Sequence, residues 1–232
     1  MNKKPIIGII GKVQPKHDED LWHRIDETDE LRYIIVKTGG IAITLLPTEE
    51  TITFNDNDIK DNKCLTDEEK EDLYRQLELC DGFILQGGLY SCNYEIEMAK
   101  KIIEMDKPLI GICAGFNNIL RALGSDVILD ETKRHDIYDK NYRHKVDICK
   151  NTILYNIIKK DTMNVNSIHS MIASKELVEP YAKISSYSED NLVESFEVPN
   201  KKFIIGIKWH PELMLEEKYV EKLFEEFIRK CN

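Results

Sequence analysis

An apolar run that stops in a small-residue turn around one cysteine constrains this chain most strongly. Lys107-Pro108-Leu109-Ile110-Gly111-Ile112 leads into Cys113-Ala114-Gly115. The residues that follow, Phe116-Asn117-Asn118-Ile119-Leu120-Arg121-Ala122-Leu123, space their apolar side chains as a helix does. A strand, a tight turn and a helix in this order form a nucleophile elbow. Glycines on either side permit a strained turn and close packing of helix on strand. At the helix start the thiol meets unpaired N–H groups and the positive end of the helix dipole, which favour thiolate. A buried structural cysteine satisfies this segment equally well by itself, so a nucleophile needs partners elsewhere.

The partner segment is Ile204-Ile205-Gly206-Ile207-Lys208-Trp209-His210-Pro211-Glu212, read as a strand that finishes in His-Pro-Glu. In extended chain, residues two apart point the same way. His210 and Glu212 therefore pair as a base and its orienting carboxylate, with Pro211 stiffening the link. Cysteine, imidazole and carboxylate are the parts of a thiol acyl-transfer enzyme. A surface His-Pro turn with a solvated glutamate is the plain alternative, and the elbow weighs against it. A third segment, Cys80-Asp81-Gly82-Phe83-Ile84-Leu85-Gln86-Gly87-Gly88, reads as a buried strand ending in a Gly-Gly loop. Backbone N–H groups there, with that of Ala114, are placed to face a developing oxyanion.

These three motifs, Asp-Gly-…-Gly-Gly, Gly-Ile-Cys-x-Gly and Gly-x-x-Trp-His-Pro-Glu, together resemble class I glutamine amidotransferase domains. Within that superfamily the chain is most similar to free-standing gamma-glutamyl hydrolases of the gamma-glutamyl-gamma-aminobutyrate hydrolase type. Further matches run along nearly the whole chain: Pro5-Ile6-Ile7-Gly8-Ile9, Tyr33 through Gly39-Gly40-Ile41 to Leu46-Pro47, Val165-Asn166-Ser167-Ile168-His169-Ser170, and Asp190-Asn191-Leu192-Val193-Glu194. The resemblance implies Cys113 as nucleophile, His210 as general base and acid, and Glu212 as its orienter. It implies Gly88 and Ala114 as the oxyanion hole, and Gly87, Asn117 and His169 as substrate-binding residues. A hydrogen-bonded structural role for His169 stays open.

The chain also departs from the family. Where the family has Arg-Gly-Met-Gln after the nucleophile, this chain has Ala114, Gly115, Phe116 and Asn117. Its Asp-x-x-Pro stretch is replaced by Leu89-Tyr90-Ser91-Cys92-Asn93-Tyr94-Glu95, and the second His of His-His-Gln by Ser170. Reaction type is expected to transfer, whereas the amine released is not. Residues that choose that amine are expected in the loop from Leu89 to Tyr94, in a β segment after residue 126 and at Phe116-Asn117.

The fold expected is α/β, a flavodoxin-like three-layer sandwich with a mainly parallel central sheet and a small inserted β segment. Strands are expected near 5–10, 41–46, 82–86, 108–112 and 203–209, with helices between the early ones. Leu21 to Lys37 reads as a helix, with Trp22 and His23 alternatively in a loop. Thr66 and Glu69 form a capping-box pattern, ahead of inward-facing Leu73 and Leu77. Tyr94 to Met105 reads as a further helix. From Asp126 to Phe196 the pattern shortens into β segments: Tyr142 to Cys149, Thr162 to Asn166 and a hairpin around Ser188 to Asn191. These are expected as an insertion walling one side of the pocket. A last helix, Leu215 to Arg229, carries Leu223, Phe224, Phe227 and Ile228 in one apolar stripe. In such sheets ligands bind beyond the carboxyl ends of the strands, where Gly88, Cys113 and His210 fall.

The 232 residues suffice for one α/β domain, and no repeat or break in composition marks a second. Met1-Asn2-Lys3-Lys4-Pro5 offers no long apolar signal region, and no run approaches a membrane span. A formal net charge of −10 disfavours nucleic acid and anionic membrane as partners. Six cysteines at irregular spacings, without a Cys-x-x-Cys pair or an accompanying histidine pattern, argue against zinc and against a disulfide framework, and suit a reducing cytosol. The expected activity is hydrolysis of a gamma-glutamyl amide through a cysteinyl thioester, with no metal or organic cofactor. A glutaminase subunit that delivers ammonia to a separate synthetase is the nearest rival. A thiol redox or stress protein, with a Cys92–Cys113 disulfide, is a second, and a ligand-binding pseudoenzyme a third. A homodimer is left open.

Overall fold

The computed structural model describes residues 3–50, 52–54, 64–139 and 141–232; Met1 and Asn2 of the N-terminal segment lie outside them. Strand β1 (Ile6–Ile10) opens the chain, followed by a short hairpin of β2 (Lys12–Gln14) and β3 (Arg24–Asp26). Helix α1 (Asp29–Lys37), β4 (Ile41–Leu45), α2 (Asp67–Glu78), β5 (Gly82–Leu85), α3 (Asn93–Glu104), β6 (Leu109–Ile112) and α4 (Ala114–Ala122) complete the first half. The second half holds β7 (Ile128–Leu129), β8 (His144–Ile148), α5 (Ile153–Ile158), β9 (Thr162–Val165), β10 (Met171–Ile172) and α6 (Lys175–Val178). It ends with β11 (Lys183–Ser188), β12 (Val193–Glu197), β13 (Ile204–Ile207), a 3₁₀ turn (Pro211–Leu213) and α7 (Lys218–Cys231).

One sheet of nine strands organises these elements, in the order β4-β1-β5-β6-β13-β12-β11-β8-β9. The first five strands run parallel and the remaining four join antiparallel. The central strands Gly82–Leu85, Leu109–Ile112 and Ile204–Ile207 are buried throughout, as continuous apolar runs must be when both faces of a sheet are covered. On one face, Phe83, Leu85 and Leu109 pack with Leu73, Met98, Ile102, Phe116 and Leu120 of α2, α3 and α4. On the other, Ile84, Ile110 and Ile205 pack with Ile34, Leu154, Leu223, Phe224 and Phe227 of α1, α5 and α7. The result is the three-layer α/β sandwich expected from the alternating pattern. Among the described residues no helix is long and apolar enough to cross a membrane.

Several elements refine the sequence reading. Helix α2 starts with the expected capping box: Glu69 N donates to Thr66 Oγ1 at 3.2 Å, and Thr66 N donates to the Glu69 carboxylate at 2.7 Å. Helix α1 is shorter than the span from Leu21 to Lys37. Arg24–Asp26 pairs with β2 instead, and the helix begins after Thr28, with Asp29 and Glu30 in its first turn. Trp22 and His23 fall in the preceding loop, where His23 stacks on Phe54. Helix α7 begins at Lys218 rather than Leu215, because the 3₁₀ turn and the bond from Glu217 N to Met214 O hold the chain in turns before it.

The β-rich segment is not a separate wall. Its strands β8, β9, β11 and β12 continue the central sheet, with Ser195 opposite Ile207 at the seam. The hairpin around Ser188–Asn191 forms as expected, and Asn191 takes a left-handed conformation (φ 63°) in its turn. The pocket wall comes from loops instead, where β7 pairs with β10 and Asp136 bridges to Ile168.

Backbone contact at the start of α4 fixes the centre of the fold. A Cβ on Gly115 would lie 2.0 Å from the Leu85 carbonyl oxygen, and one on Gly111 would lie 2.6 Å from the Gly115 carbonyl oxygen. Only hydrogen fits at either place. Gly115→Ala is expected to destabilise the protein by about 1–3 kcal/mol through overpacking, measured as a lower midpoint in urea. An unchanged midpoint would show that α4 can move off the sheet at no cost.

Candidate active site

Cys113 follows β6 and caps α4 with φ 51° and ψ −99°, outside the favoured regions for an L-residue. Such strain persists only where the surroundings hold it, here by the glycine contacts below and a bond from Cys113 N to the Ile207 carbonyl at 2.8 Å. The turn lifts the thiol out of the strand line to the edge of a cavity, where it is 9% exposed and 3.7 Å from the Ile168 carbonyl oxygen.

His210 stands across from it. The imidazole Nδ1 and Glu212 Oε1 are 2.6 Å apart, and Glu212 is buried. The pairing arises differently from the sequence expectation. Strand β13 stops at Ile207, and His210 caps the 3₁₀ turn Pro211–Leu213, so the turn rather than strand alternation brings Glu212 back to the ring. The backbone of His210 is clamped at both ends by one side chain, a role the sequence reading missed. Its N–H donates to Asn166 Oδ1 at 2.9 Å, and Asn166 Nδ2 donates to its carbonyl at 2.8 Å.

The electrostatics follow from this geometry. Burial pushes the Cys113 thiol up, but the His210 charge, a hydrogen bond to His210 and the charge of Lys208 outweigh it, and the thiol lies below its ordinary range. Burial pushes His210 down, while Glu212 and Cys113 more than compensate and hold the imidazole well above its ordinary value. Opposite shifts in these two groups favour the thiolate and the imidazolium together.

The Gly-Gly loop has a steric reason that its sequence does not reveal. A Cβ on Gly87 would lie 2.4 Å from His210 Cε1, so the missing side chain is the space that the imidazole occupies. A Cβ on Gly88 would meet Lys12 Cε at 2.5 Å; Lys12 runs beneath the loop to a buried ion pair with Glu95 at 2.6 Å. Gly88, Cys113, Ala114, Asn117, His169 and His210 all line one cavity of about 550 Å³, a size that suits a small molecule. Gly87 sits behind His210 and does not line it.

Of the loop from Leu89 to Tyr94, Leu89, Tyr90 and Ser91 reach the cavity, whereas Tyr94 is core and its hydroxyl donates to the Gly11 carbonyl. Phe116, expected beside the leaving group, is instead buried edge-on against Phe196 at 4.6 Å. Asn117 does line the cavity, and its Oδ1 accepts a 2.6 Å hydrogen bond from Lys208 Nζ. Lys208 is 1% exposed, lies over the Phe116 ring and is pulled down to about 8 by burial. His169 is buried, and its Nδ1 lies 3.1 Å from the Met171 carbonyl. Burial foremost, then the charge of Lys208, hold His169 well below its ordinary value and therefore neutral. All six cysteines are free, and burial with the charge of Glu95 pushes Cys92 up to about 12.

Comparison with known proteins accords with this arrangement. Residues 92–212, more than half of the chain and including Cys113, His210 and Glu212, match the profile of the Peptidase C26 family. The chain belongs to the Peptidase C26 family. It is 29% identical to protein NtpR of Enterococcus hirae over 158 residues, 63% of this chain and 65% of NtpR. It is 27% identical to the gamma-glutamyl-gamma-aminobutyrate hydrolase PuuD of Escherichia coli over 143 residues, 56% of each chain. The chain thus spans less than two thirds of either relative. In fold it resembles the glutaminase domain of Trypanosoma brucei CTPS, solved with bound acivicin, with a TM-score of 0.64 at 15% identity over 97% of this chain and 94% of that one. At these identities it is a divergent Peptidase C26 protein with the glutamine amidotransferase type of fold.

Glu212 is the main group holding His210 up after burial is overcome. In Glu212→Gln the His210 imidazole is expected to lose its proton at lower pH than in the parent, read from its ring resonances by NMR. An unchanged midpoint would contradict the role of the carboxylate.

Proposed function

We propose that this Peptidase C26 protein is a cysteine-dependent hydrolase of gamma-glutamyl amide bonds, acting as one domain over residues 1–232 in the cytosol. The observation that carries this reading is the placement of Cys113 and His210 on the wall of one cavity, with Glu212 2.6 Å behind the imidazole. The Cys113 thiolate attacks the side-chain carbonyl carbon of the gamma-glutamyl group. Backbone N–H groups of Gly88 and Ala114 receive the oxyanion. The His210 imidazolium then gives its proton to the amine nitrogen as the C–N bond breaks, leaving a glutamyl thioester on Cys113. Neutral His210 next takes a proton from water, which attacks the thioester and releases glutamate and the thiolate. Glu212 fixes the ring and steadies its charge through both steps. Asn117 and His169, on the cavity wall, contact the substrate.

Similarity to PuuD supports release of an amine from a small gamma-glutamyl compound. Similarity to the CTPS glutaminase domain supports the second reading, in which glutamine is cleaved and ammonia passes to a synthetase partner. The redox reading is the weakest of the three, because Cys92 is held protonated by burial and the His210–Glu212 pair has no part in it.

The test is mass spectrometry of the protein incubated with glutamine and with a panel of gamma-glutamyl amines. Glutamate released from one such amine, with little from glutamine, is the expected result. Cys113→Ala is expected to lower that turnover by at least about 10⁴-fold while leaving the circular dichroism spectrum unchanged. Retained turnover in the variant would overturn the mechanism. Cleavage of glutamine alone, rising with an added partner, would select the synthetase reading.

A further inference from the structure

Behind the His169 wall of the cavity lies a buried polar cluster that the reaction does not use. His135 precedes the Asp136–Ile168 bridge, His144 opens β8 and Glu194 sits in β12. One ligand atom from each of the three lies within 4.8 Å of the other two. The register of β11 against β12 slips at this point, with Val193 opposite Tyr187 but Ser195 opposite Ser186. Glu194 is thus the extra residue of a β-bulge, a device that re-aims a side chain. It aims the carboxylate inward, where it is 0% exposed and neither oxygen has a hydrogen-bond partner. His144 Nε2 is also buried without a partner. Unpaired polar atoms of this kind are costly unless something binds them.

The surrounding groups orient these donors as they would around a metal. His135 Nε2 is 3.0 Å from Asp190 Oδ2, which places its proton on Nε2 and leaves the Nδ1 lone pair between Ser167 Oγ at 3.3 Å and Glu194 at 3.8 Å. A carboxylate behind a histidine ligand is the usual outer support of such a ligand. His169, its Nδ1 turned to the Met171 carbonyl, points Nε2 at the same carboxylate from 3.7 Å. Lys208 is the competing cation, but its Nζ is committed to Asn117 and the face of Phe116 and makes no hydrogen bond to Glu194.

We propose that His135 Nδ1, His144 Nε2 and the Glu194 carboxylate bind one zinc ion, which ties β8 and the β12 bulge to the loop that walls the cavity. Two imidazoles and a carboxylate are a donor set that zinc takes readily. Bonds of about 2.0–2.1 Å put tetrahedral donors about 3.3 Å apart, so the cluster needs only small side-chain rotations to close. The site is separate from Cys113 and His210, and its test does not depend on turnover.

The experiment titrates Zn²⁺ by calorimetry, and Co²⁺ by visible absorption, into the chelator-treated full chain carrying Cys113→Ser, which removes the reactive thiol as a competing ligand. One equivalent is expected to bind, with a four-coordinate cobalt spectrum free of thiolate charge transfer and a rise in Tm on adding Zn²⁺. Asp190→Asn is expected to weaken binding by about 10–100-fold, and His144→Gln and Glu194→Gln by more. His144 is only partly buried, so His144→Gln remains informative if Glu194→Gln fails to fold. No stoichiometric binding, or binding undiminished in His144→Gln, would overturn the proposal.

Discussion

The backbone of Gly115 lies against the Leu85 carbonyl with no room for a side chain, and the rest of the site depends on that contact. It brings the first turn of α4 down onto β5 and β6, and the chain can enter the helix at that height only by bending sharply at Cys113. The bend turns the thiol out of the sheet and onto the helix N-terminus, facing the carboxyl ends of the parallel strands. His210 arrives from the adjacent strand β13, parallel to β6, and so meets the thiol at the same end of the sheet. Gly87, at the end of β5, leaves the gap that its ring fills.

Around this point the protein buries several ionisable groups. Cys113 and His210 each favour the charged form of the other, and Glu212 backs the imidazole from 2.6 Å. Lys208, held on Asn117, adds positive charge that lowers the thiol further. Glu194 is pushed up to about 8, chiefly by burial, against the opposing charge of Lys208. Asn166 and Asn117 carry no charge but fix where the charges stand, one clamping the His210 backbone and the other holding the Lys208 ammonium. Preorganisation of this kind lets a small cavity stabilise charge as it develops without rearranging.

Much of this architecture was legible in the sequence, for physical reasons. The buried parallel strands announce themselves as short Ile- and Leu-rich runs because both of their faces are covered. Cys113, His210 and Glu212 stand out because the chemistry needs those residue types beside turns. The antiparallel half was harder to place. Strands β11 and β12 bury Ser185, Ser186 and Ser195, which bond to one another, so their sequence lacks the apolar signal of a sheet interior. Lys208 is marked by no motif, and only packing reveals it as buried. Phe116 reads as a pocket residue because it neighbours the nucleophile, yet one helical step turns it into the core. His135, His144 and Glu194 are far apart in the chain, so no spacing rule joins them.

The pairing of Cys113 with His210 is open to measurement through the ionisation of the thiol. The rate of its alkylation by iodoacetamide, followed against pH by peptide mass spectrometry to separate it from the other five cysteines, reports the thiolate fraction. The thiol is expected to ionise below its ordinary range, with a midpoint that rises when His210 is replaced by Gln. A Cys113 that alkylates with an ordinary thiol midpoint, unmoved in His210→Gln, would contradict it.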